Sequence, residues 1–268
     1  MNAFSYGASM TSMTDVGLSY SAYLEKASWA ILPALQFEQQ AAPGRDGMHG
    51  AGSRYGARSF VFNLIISPPS GTAVQTNLDA LLALISGAAG DGYVKFDRMP
   101  DRIYKGRFQG GVNGEYLGND AIRLGLTFNC ADAFAYGLDE VTQTLTISSD
   151  PQTDTIPASG VLAGNARTQP VYIIKNTSGA EADVFIKCVG TAQQLDIDNV
   201  PDATWIKVDV STKRVYSSTD NGATWADAMT MIGTNVWFPE LAGGAANSLT
   251  TDGLSSGSVV VTYRGRYL

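Results

Sequence analysis

Alternation of apolar and polar residues is the strongest pattern in the first half of the chain. In segment 58–66 every second residue is a large apolar one, namely Phe60, Phe62, Leu64 and Ile66. In segment 121–129 the alternating apolar residues are Ile122, Leu124, Leu126 and Phe128. Strict alternation predicts two β-strands. Because the residues between the phenylalanines are partly apolar too, the first strand is predicted to lie in the middle of a sheet.

Residues 93–108, with the sequence YVKFDRMPDRIYKGRF, predict a β-hairpin between these two strands. Pro100 fixes its own φ and disfavours helix at Met99, so the chain has to turn or extend there. Gly106 weakens the second strand of this hairpin, which predicts a bulge or a close approach of another backbone.

A single helix is predicted. Thr76 or Asn77 could cap it, Gly87 would stop it after Ser86, and one apolar stripe runs along it: Leu78, Leu81, Leu82 and Ile85. Upstream, residues 29–32 and 35–37 are predicted to be strand fragments separated by Pro33. Residues 43–56 contain five glycines without apolar periodicity and are predicted to be a loop.

From Leu138 onward, β-like runs separated by turn residues recur about every ten residues, and no helical stripe occurs. They cover residues 142–147, 171–175, 183–189, 205–210, 213–217, 235–238 and 258–263. This spacing predicts an antiparallel β-sandwich. Segment 148–164 is predicted to be a linker or long loop. The fold class is therefore mainly β, with two domains at residues 1–137 and 138–268.

Composition supports a globular, β-rich protein and excludes some functions. Only 16% of the residues are charged, and the net charge of −7 argues against a nucleic-acid-binding surface. No apolar stretch approaches the ~20 residues of a membrane span, and the first residues lack the pattern of a secretory signal. We therefore expect a soluble protein made in a cytoplasm. Two buried thiols are favoured over a disulfide between Cys130 and Cys188.

Three motifs suggest chemistry, but each is better explained by structure. Residues 253–257 fit G-x-S-x-G, yet a β run follows where a hydrolase needs a helix, so we predict a serine-glycine hairpin turn. Residues 218–225 resemble one Asp-box, in which Asp220 would bind turn amides, Gly222 would take a positive φ and Trp225 would pack beneath. Three aspartates of DIDNVPD lack the glycine and glutamate of an EF-type loop, which favours a solvated acidic turn: Asp196, Asp198 and Asp202.

Aromatic residues of the second half raise the question of sugar binding. They are Trp205, Tyr216, Trp225, Trp237 and Tyr263. Most occupy strand positions that a sandwich core would bury. The lone His49 makes no metal site of the usual kind. We therefore assign no catalytic, cofactor-binding or metal-ligating residue.

The order of these elements resembles the distal tail protein family (Dit) of siphophages. The resemblance rests on a loop with RDG, a phenylalanine-rich strand, a double-proline turn and a leucine-rich helix, followed by PDRIYKGRF, LGLTFNC and ADAFAYG. It covers the chain from Arg45 to the C-terminus. One departure is Ala133 after Asp132, where relatives often have proline. The second half, ending in VVVTYRGRYL, resembles the galectin-like C-terminal domain of that family.

This resemblance implies a structural virion protein at the distal end of the phage tail. Residues 1–137 would be a β-sandwich or split-barrel belt domain with one α-helix, and residues 138–268 a galectin-like β-sandwich. A homohexameric ring would join the tail-tube protein to the tail-tip hub protein, and a receptor-binding protein or side fibres could attach to it. DNA would pass through the lumen without specific binding. No enzymatic activity, cofactor or membrane insertion is implied. The alternative is a carbohydrate-binding module that recognises host cell-surface glycans.

Overall fold

The computed structural model describes residues 3–29, 33–41, 48–69, 72–86, 90–109, 112–130 and 132–268. By its internal packing the chain divides into two compact units. Unit 1 comprises residues 1–138 with Leu268, and unit 2 comprises residues 139–267. Both are built mainly from antiparallel strands, so the predicted mainly-β fold class is confirmed.

Unit 1 contains eleven strands and two α-helices among its described residues. The elements are β1 (Phe4–Ser9), β2 (Ser12–Asp15), α1 (Val16–Tyr20), β3 (Ala22–Trp29), β4 (Leu35–Ala41), β5 (Met48–Tyr55), β6 (Arg58–Ile66), α2 (Thr72–Ser86), β7 (Gly92–Phe96), β8 (Arg102–Phe108), β9 (Asn113–Tyr116), β10 (Ile122–Cys130) and β11 (Ala135–Ile147). Strand β11 carries the chain from unit 1 into unit 2.

The predicted central strand is confirmed. Strand β6 pairs with β10 on one side and with β3 on the other, and the β6–β10 register is unbroken from Arg58↔Cys130 to Ile66↔Ile122. Because alternate residues of a strand face the same way, this register puts both predicted apolar rows on one buried face.

The predicted hairpin of β7 and β8 is confirmed, and so is the role of its glycine. Gly92 lies opposite Gly106 in the ladder. A Cβ atom at Gly106 would lie 2.2 Å from the carbonyl oxygen of Asn129 on β10. Glycine therefore allows the close approach of β10 to β8 that a side chain would prevent.

Aromatic rings fill the core of unit 1. The ring centroids of Phe60 and Tyr104 are 4.6 Å apart, and those of Phe108 and Phe128 are 5.1 Å apart, both pairs edge-to-face. Phe4 of β1 packs against Phe62 in the same way at 5.3 Å. Edge-to-face pairs add about 0.5–1.5 kcal/mol each to the burial of the rings. The core thus ties β1, β6, β8 and β10 together.

Helix α2 begins earlier than the sequence predicts and ends at Ser86 as expected. Val74 precedes Leu78, Leu81 and Ile85 on the buried stripe, which extends the helix upstream to Thr72. The predicted capping role is therefore wrong: Asn77 lies inside α2, and its side-chain amide donates to the carbonyl of Tyr20 at 3.0 Å. The five-residue α1, capped by Asp15, is a second helix that its few apolar residues did not indicate.

The predicted loop at residues 43–56 is partly wrong. Residues 48–55 form β5, which pairs with β4 in a separate two-stranded sheet. Backbone hydrogen bonds define this hairpin, and its second strand shows no apolar alternation. The glycine-rich sequence therefore did not reveal it. Of the two predicted strand fragments, residue 29 ends β3 and residues 35–37 begin β4, while residues 30–32 lie outside the described part of the chain.

Unit 2 continues β11 with ten further strands. They are β12 (Gln152–Ile156), β13 (Val171–Asn176), β14 (Ala182–Cys188), β15 (Gln193–Val200), β16 (Trp205–Asp209), β17 (Arg214–Ser218), β18 (Ala226–Asp227), β19 (Ile232–Val236), β20 (Asn247–Asp252) and β21 (Gly257–Tyr267). A single 3₁₀ turn, Met229–Met231, precedes β19.

These strands form the predicted β-sandwich. One sheet has the order β18-β17-β16-β13-β21-β11, and the other has the order β12-β20-β14-β15-β19. Their inward residues make one core, which includes Tyr172, Ile174, Ile186, Leu195 and Val261. The buried Tyr172 hydroxyl donates to the carbonyl of Pro239 at 2.9 Å, so the core also holds a loop in place.

Two predictions for unit 2 are wrong. Segment 148–164 is not a linker, because residues 152–156 form β12 and pair with β20 along their whole length. The run DIDNVPD is not a solvated acidic turn, because Asp196 and Asp198 lie within β15. Polar residues fill the outward positions of β12, β15 and β20, which explains why apolar alternation did not reveal these strands.

The remaining expectations concern the cysteines and membrane spans. Cys130 and Cys188 are free, buried thiols as predicted, and burial raises the pKa of Cys130 to about 12. Among the described residues, neither helix has the length and apolar character that crossing a membrane requires.

The glycine contact between β8 and β10 yields a stability prediction. Gly106→Ala should lower the free energy of unfolding by about 1–3 kcal/mol, because the added methyl group would force the two backbones apart. Urea denaturation followed by near-ultraviolet circular dichroism measures the effect. The matched control is Gly125→Ala on β10, where the nearest atom to the added Cβ is 4.0 Å away. Equal unfolding midpoints for the two variants would contradict the close-approach explanation.

Candidate functional site

No catalytic or metal centre was assigned from the sequence, and the described residues contain no group of three or more His, Cys, Asp or Glu side chains placed to hold a metal ion. The side chain of His49 lies outside the described residues. The surfaces of each unit are therefore the candidates for function.

The G-x-S-x-G segment connects two sheets and is not the predicted hairpin turn. It follows β20 of one sheet and leads into β21 of the other. The Ser256 hydroxyl donates to the carbonyl of Thr177 at 2.6 Å, and Leu254 is buried. The prediction failed because the partners of β20 and β21 lie far away in the sequence.

The Asp-box prediction is confirmed in detail. Asp220 accepts from the backbone N–H of Thr224 at 2.9 Å and from the hydroxyl groups of Ser218 and Thr224. Gly222 has a φ of +82°, and a Cβ atom there would lie 3.1 Å from the Trp225 ring. Hydrogen bonds from both hydroxyl groups to the carboxylate lower the pKa of Asp220 to about 2. The motif closes the turn between β17 and β18.

The three aspartates of DIDNVPD do not converge on one point. Asp196 is buried and accepts hydrogen bonds from the backbone and side-chain nitrogens of Asn235 and from the Gln194 amide. Asp202 accepts from the backbone N–H of Gly179. Asp198 lies beside Gly233 on the neighbouring strand. Asp196 and Asp202 thus stabilise two different contacts, and the three carboxylates form no shared site.

Only one of the five candidate sugar-stacking residues lies in the core, contrary to the prediction that most would. Tyr263 is buried. Trp205, Tyr216 and Trp225 are half-buried, and a lysine ammonium lies over each ring at 5.0–5.8 Å: Lys175 over Trp205, and Lys207 over the other two. We call the three half-buried rings, Trp205, Tyr216 and Trp225, together with Lys175 and Lys207, the aromatic face. Strand alternation puts Trp205 and Tyr216 opposite the buried face, because Ile206 and Val215 take the inward positions.

Trp237 is the most exposed of the candidates, at 68%. Its backbone N–H donates to the carbonyl of Gln194 at 3.1 Å, beside the edge strand β19. Nearby, the outer surface of β20, β14 and β15 holds a concave site of about 500 Å³. We call it the polar groove; its lining includes Phe185, Lys187, Val189, Gln194, Thr250 and Asp252.

Sequence analysis missed the polar groove because two of its three strands were not recognised. Lys187 lies opposite Thr250 on one side and opposite Gln194 on the other. Only β14 could have indicated part of the groove from the sequence, because its outward residues Phe185 and Lys187 alternate with apolar residues. A hydrogen bond with the neighbouring Asp150 raises the pKa of the Asp252 carboxyl at one end of the groove.

The outer surface of unit 1 carries an ion-pair cluster and exposed apolar residues. Arg123 on β10 donates to Glu25 on β3 at 2.6–2.7 Å and to Glu115 on β9 at 2.8 Å. The hydrogen bond from Arg123 lowers the pKa of Glu25. Large apolar side chains are exposed nearby and elsewhere on the unit, namely Leu18, Leu35, Tyr55, Val61, Val112 and Tyr116.

Comparison with known proteins finds a family match within the first unit. Residues 18–130 match the family model of the phage tail protein RIFT-related domain, which confirms the resemblance to phage tail proteins. No curated protein matches the sequence.

The whole chain shares its fold with solved phage proteins. The crystal structure of the SPP1 Dit (gp 19.1) protein, described as a paradigm of the hub adsorption apparatus in phages infecting Gram-positive bacteria, matches with a TM-score of 0.71 at 18% identity, over 99% of this chain and 100% of that one. Two structures of the phage P2 baseplate in its activated conformation, with Ca and with Sr, match with TM-scores of 0.53 and 0.52 at 8% identity. The match with the Ca structure covers 99% of this chain and the match with the Sr structure covers 98%; each covers 98% of the baseplate chain.

The Asp-box turn predicts a pH-dependent contribution to stability. Asp220→Ala should lower the melting temperature at pH 7, because the turn loses its carboxylate acceptor. The folded pKa of about 2 lies below the unfolded value of ~3.9, so this contribution is present above pH ~4 and is lost as the pH falls toward 2.

Melting temperatures of wild type and variant between pH 2 and pH 7 test this expectation. Glu181→Ala is the matched control, an exposed carboxylate of the same unit with no hydrogen bond among the described residues. A constant difference between wild type and Asp220→Ala across this range would contradict the proposed linkage.

Proposed function

We propose that this chain, whose residues 18–130 match the phage tail protein RIFT-related domain, forms a homohexameric ring at the distal end of a phage tail. The observation that carries the proposal is the combination of this domain with a fold shared over the whole chain with a Dit protein. Residues 1–137 would form the ring as a belt domain, and residues 138–268 would be the galectin-like domain carried by it.

Features of unit 1 support an assembling surface. Among the residues that the structure describes, β3 is the last strand of its sheet, so the backbone groups on its outer side would be available to a neighbouring chain. The β4–β5 hairpin forms its own two-stranded sheet and could extend to an adjacent subunit. Exposed apolar side chains add contact area, with Leu18 at 85% exposure. Identical head-to-tail contacts close into a ring when the rotation allows it.

The ring would join the tail-tube protein on one side to the tail-tip hub protein on the other. A receptor-binding protein or side fibres could attach to unit 2. DNA would pass through the lumen without sequence-specific contacts, which agrees with the net charge of −7. We expect no catalytic activity, since the nucleophile-like Ser255 segment is a connection between sheets rather than a strand–helix elbow.

Sugar binding by unit 2 is the second candidate function, and one observation favours it. The polar groove lies beside a tryptophan that is 68% exposed, although large aromatic side chains are usually buried. A ring and a sugar-binding unit are compatible, because the ring would display several copies of the same weak site.

The ring proposal predicts the mass and shape of the purified protein. Static light scattering should give six times the 28.4 kDa of one chain, and negative-stain images should show a six-fold ring with a central hole. A protein that stays monomeric at tens of micromolar, and whose antibodies label no tail tip on virions, would overturn the proposal.

A charged substitution on unit 1 should separate assembly from folding. Leu18→Glu should shift the population from rings toward monomers, because it would bury a carboxylate in the subunit interface. Its melting temperature should stay near that of wild type, since the side chain is exposed. Val161→Glu is the matched control on unit 2, where the side chain is 62% exposed. Intact rings in Leu18→Glu would place Leu18 outside the interface.

A further inference from the structure

The polar groove has the size and composition of a small-ligand site. Its volume of about 500 Å³ falls within the ~300–1,000 Å³ typical of such sites. It lies wholly within unit 2, on the side of the five-stranded sheet that faces away from the sandwich core. Its lining combines three apolar residues, among them the half-buried Phe185, with the polar side chains of Lys187, Gln194, Thr250 and Asp252.

Hydrogen-bonding groups of both kinds meet in one row across three strands. Thr250, Lys187 and Gln194 are directly opposite one another on β20, β14 and β15, and opposite side chains project to the same face. Within the described part of the chain, the Lys187 ammonium has no hydrogen-bond or ion-pair partner. The Gln194 side-chain N–H donates to Asp196 at 2.8 Å, which fixes the amide and leaves its oxygen as an acceptor toward the groove.

Trp237 extends this row at the Gln194 end. Its N–H bonds to the Gln194 carbonyl, so it lies opposite Gln194 and on the same face. With 68% of its surface exposed, the indole ring has a face that the unit itself does not cover. A row of polar groups that ends in an exposed aromatic ring suits a molecule with hydroxyl edges and an apolar face.

Charge indicates that this molecule is neutral. Among the lining residues Lys187 and Asp252 carry opposite charges, and the carboxylate of the adjacent Asp196 is already bound by Gln194 and Asn235, so neither sign is offered to a ligand in excess. The aromatic face on the other sheet differs in this respect, because lysine ammonium groups already lie over its rings and the Trp205 indole N–H donates to Asn221 at 3.3 Å. Its rings are therefore occupied by contacts within the unit.

We propose that the polar groove binds a neutral saccharide of two or more pyranose rings: one ring stacks its apolar face on Trp237 beside Gln194, and the hydroxyl groups of the next rings bond to Lys187 and Thr250, because the row crosses four strands about 4.8 Å apart. Pyranoses match this arrangement because their hydroxyl groups both donate and accept, and their axial C–H groups form an apolar face. The proposal rests on the second candidate function, carbohydrate binding, and is independent of ring formation.

Binding of the full-length protein to an array of neutral glycans tests the proposal. Saturation-transfer NMR with disaccharides and trisaccharides of glucose, galactose, rhamnose, N-acetylglucosamine and N-acetylgalactosamine would then identify the contacting ring protons. We expect at least one of these sugars to bind. Trp237→Ala should weaken binding about tenfold through loss of stacking, and Gln194→Ala and Lys187→Ala should weaken it through loss of hydrogen bonds.

Trp205→Ala is the matched control, because it removes a tryptophan from the opposite sheet and should leave sugar binding unchanged. The proposal is overturned if no neutral saccharide binds at ~10 mM, if sulfated or carboxylated glycans bind in their place, or if Trp237→Ala and Lys187→Ala bind as well as wild type. The same variants imaged by negative stain keep the two questions apart. If sugar binding is lost while rings still form, the result bears on the groove proposal only. If rings are absent while sugar still binds, the result counts against the ring proposal only.

Discussion

The nine-residue antiparallel pairing of β6 with β10 is the contact on which unit 1 depends. Its unbroken register sends two rows of apolar side chains to the same side, where they meet the rings of β1, β7 and β8. A slip of one residue would turn one of the two rows toward solvent, so this register and the core determine each other. Gly106 is part of the same constraint, because a side chain there would meet the Asn129 carbonyl of β10.

Unit 2 also has to bury its apolar residues, and it does so between two sheets. Inward residues form a single core, and buried polar side chains secure the long connections around it. The Asn247 amide, for example, bonds to backbone groups of Ala242 and Ala245, and the Asn176 amide bonds to those of Ala180 and Val200. Since the core and loops are fixed from within, the outward faces are left to vary with function. The polar groove and the aromatic face are two such outward surfaces, one on each sheet.

The two units therefore suit two tasks. Unit 1 combines a match to the phage tail RIFT-related domain with exposed apolar residues and with β3, an edge strand within the described part of the chain, which fit self-assembly. Unit 2 presents a concave polar surface beside Trp237, which fits recognition of a small ligand. A closed ring would multiply such a site, so that weak binding by one unit could become strong attachment by the assembly.

The sequence by itself determined the strands whose alternation is strict, the β7–β8 hairpin, the Asp-box turn and the order of elements shared with phage tail proteins. These features depend on contacts with near neighbours in the chain or on one buried face. Tertiary structure alone decided the rest. Strands β12 and β20 pair with each other across about a hundred residues of chain, and β5 and β15 pair with the strand that precedes each of them. In all four, backbone hydrogen bonds decide the strand, and the side-chain pattern does not report them. For the same reason the polar groove was invisible: Lys187, Gln194 and Thr250 are separated in the chain and become neighbours only when three strands pair.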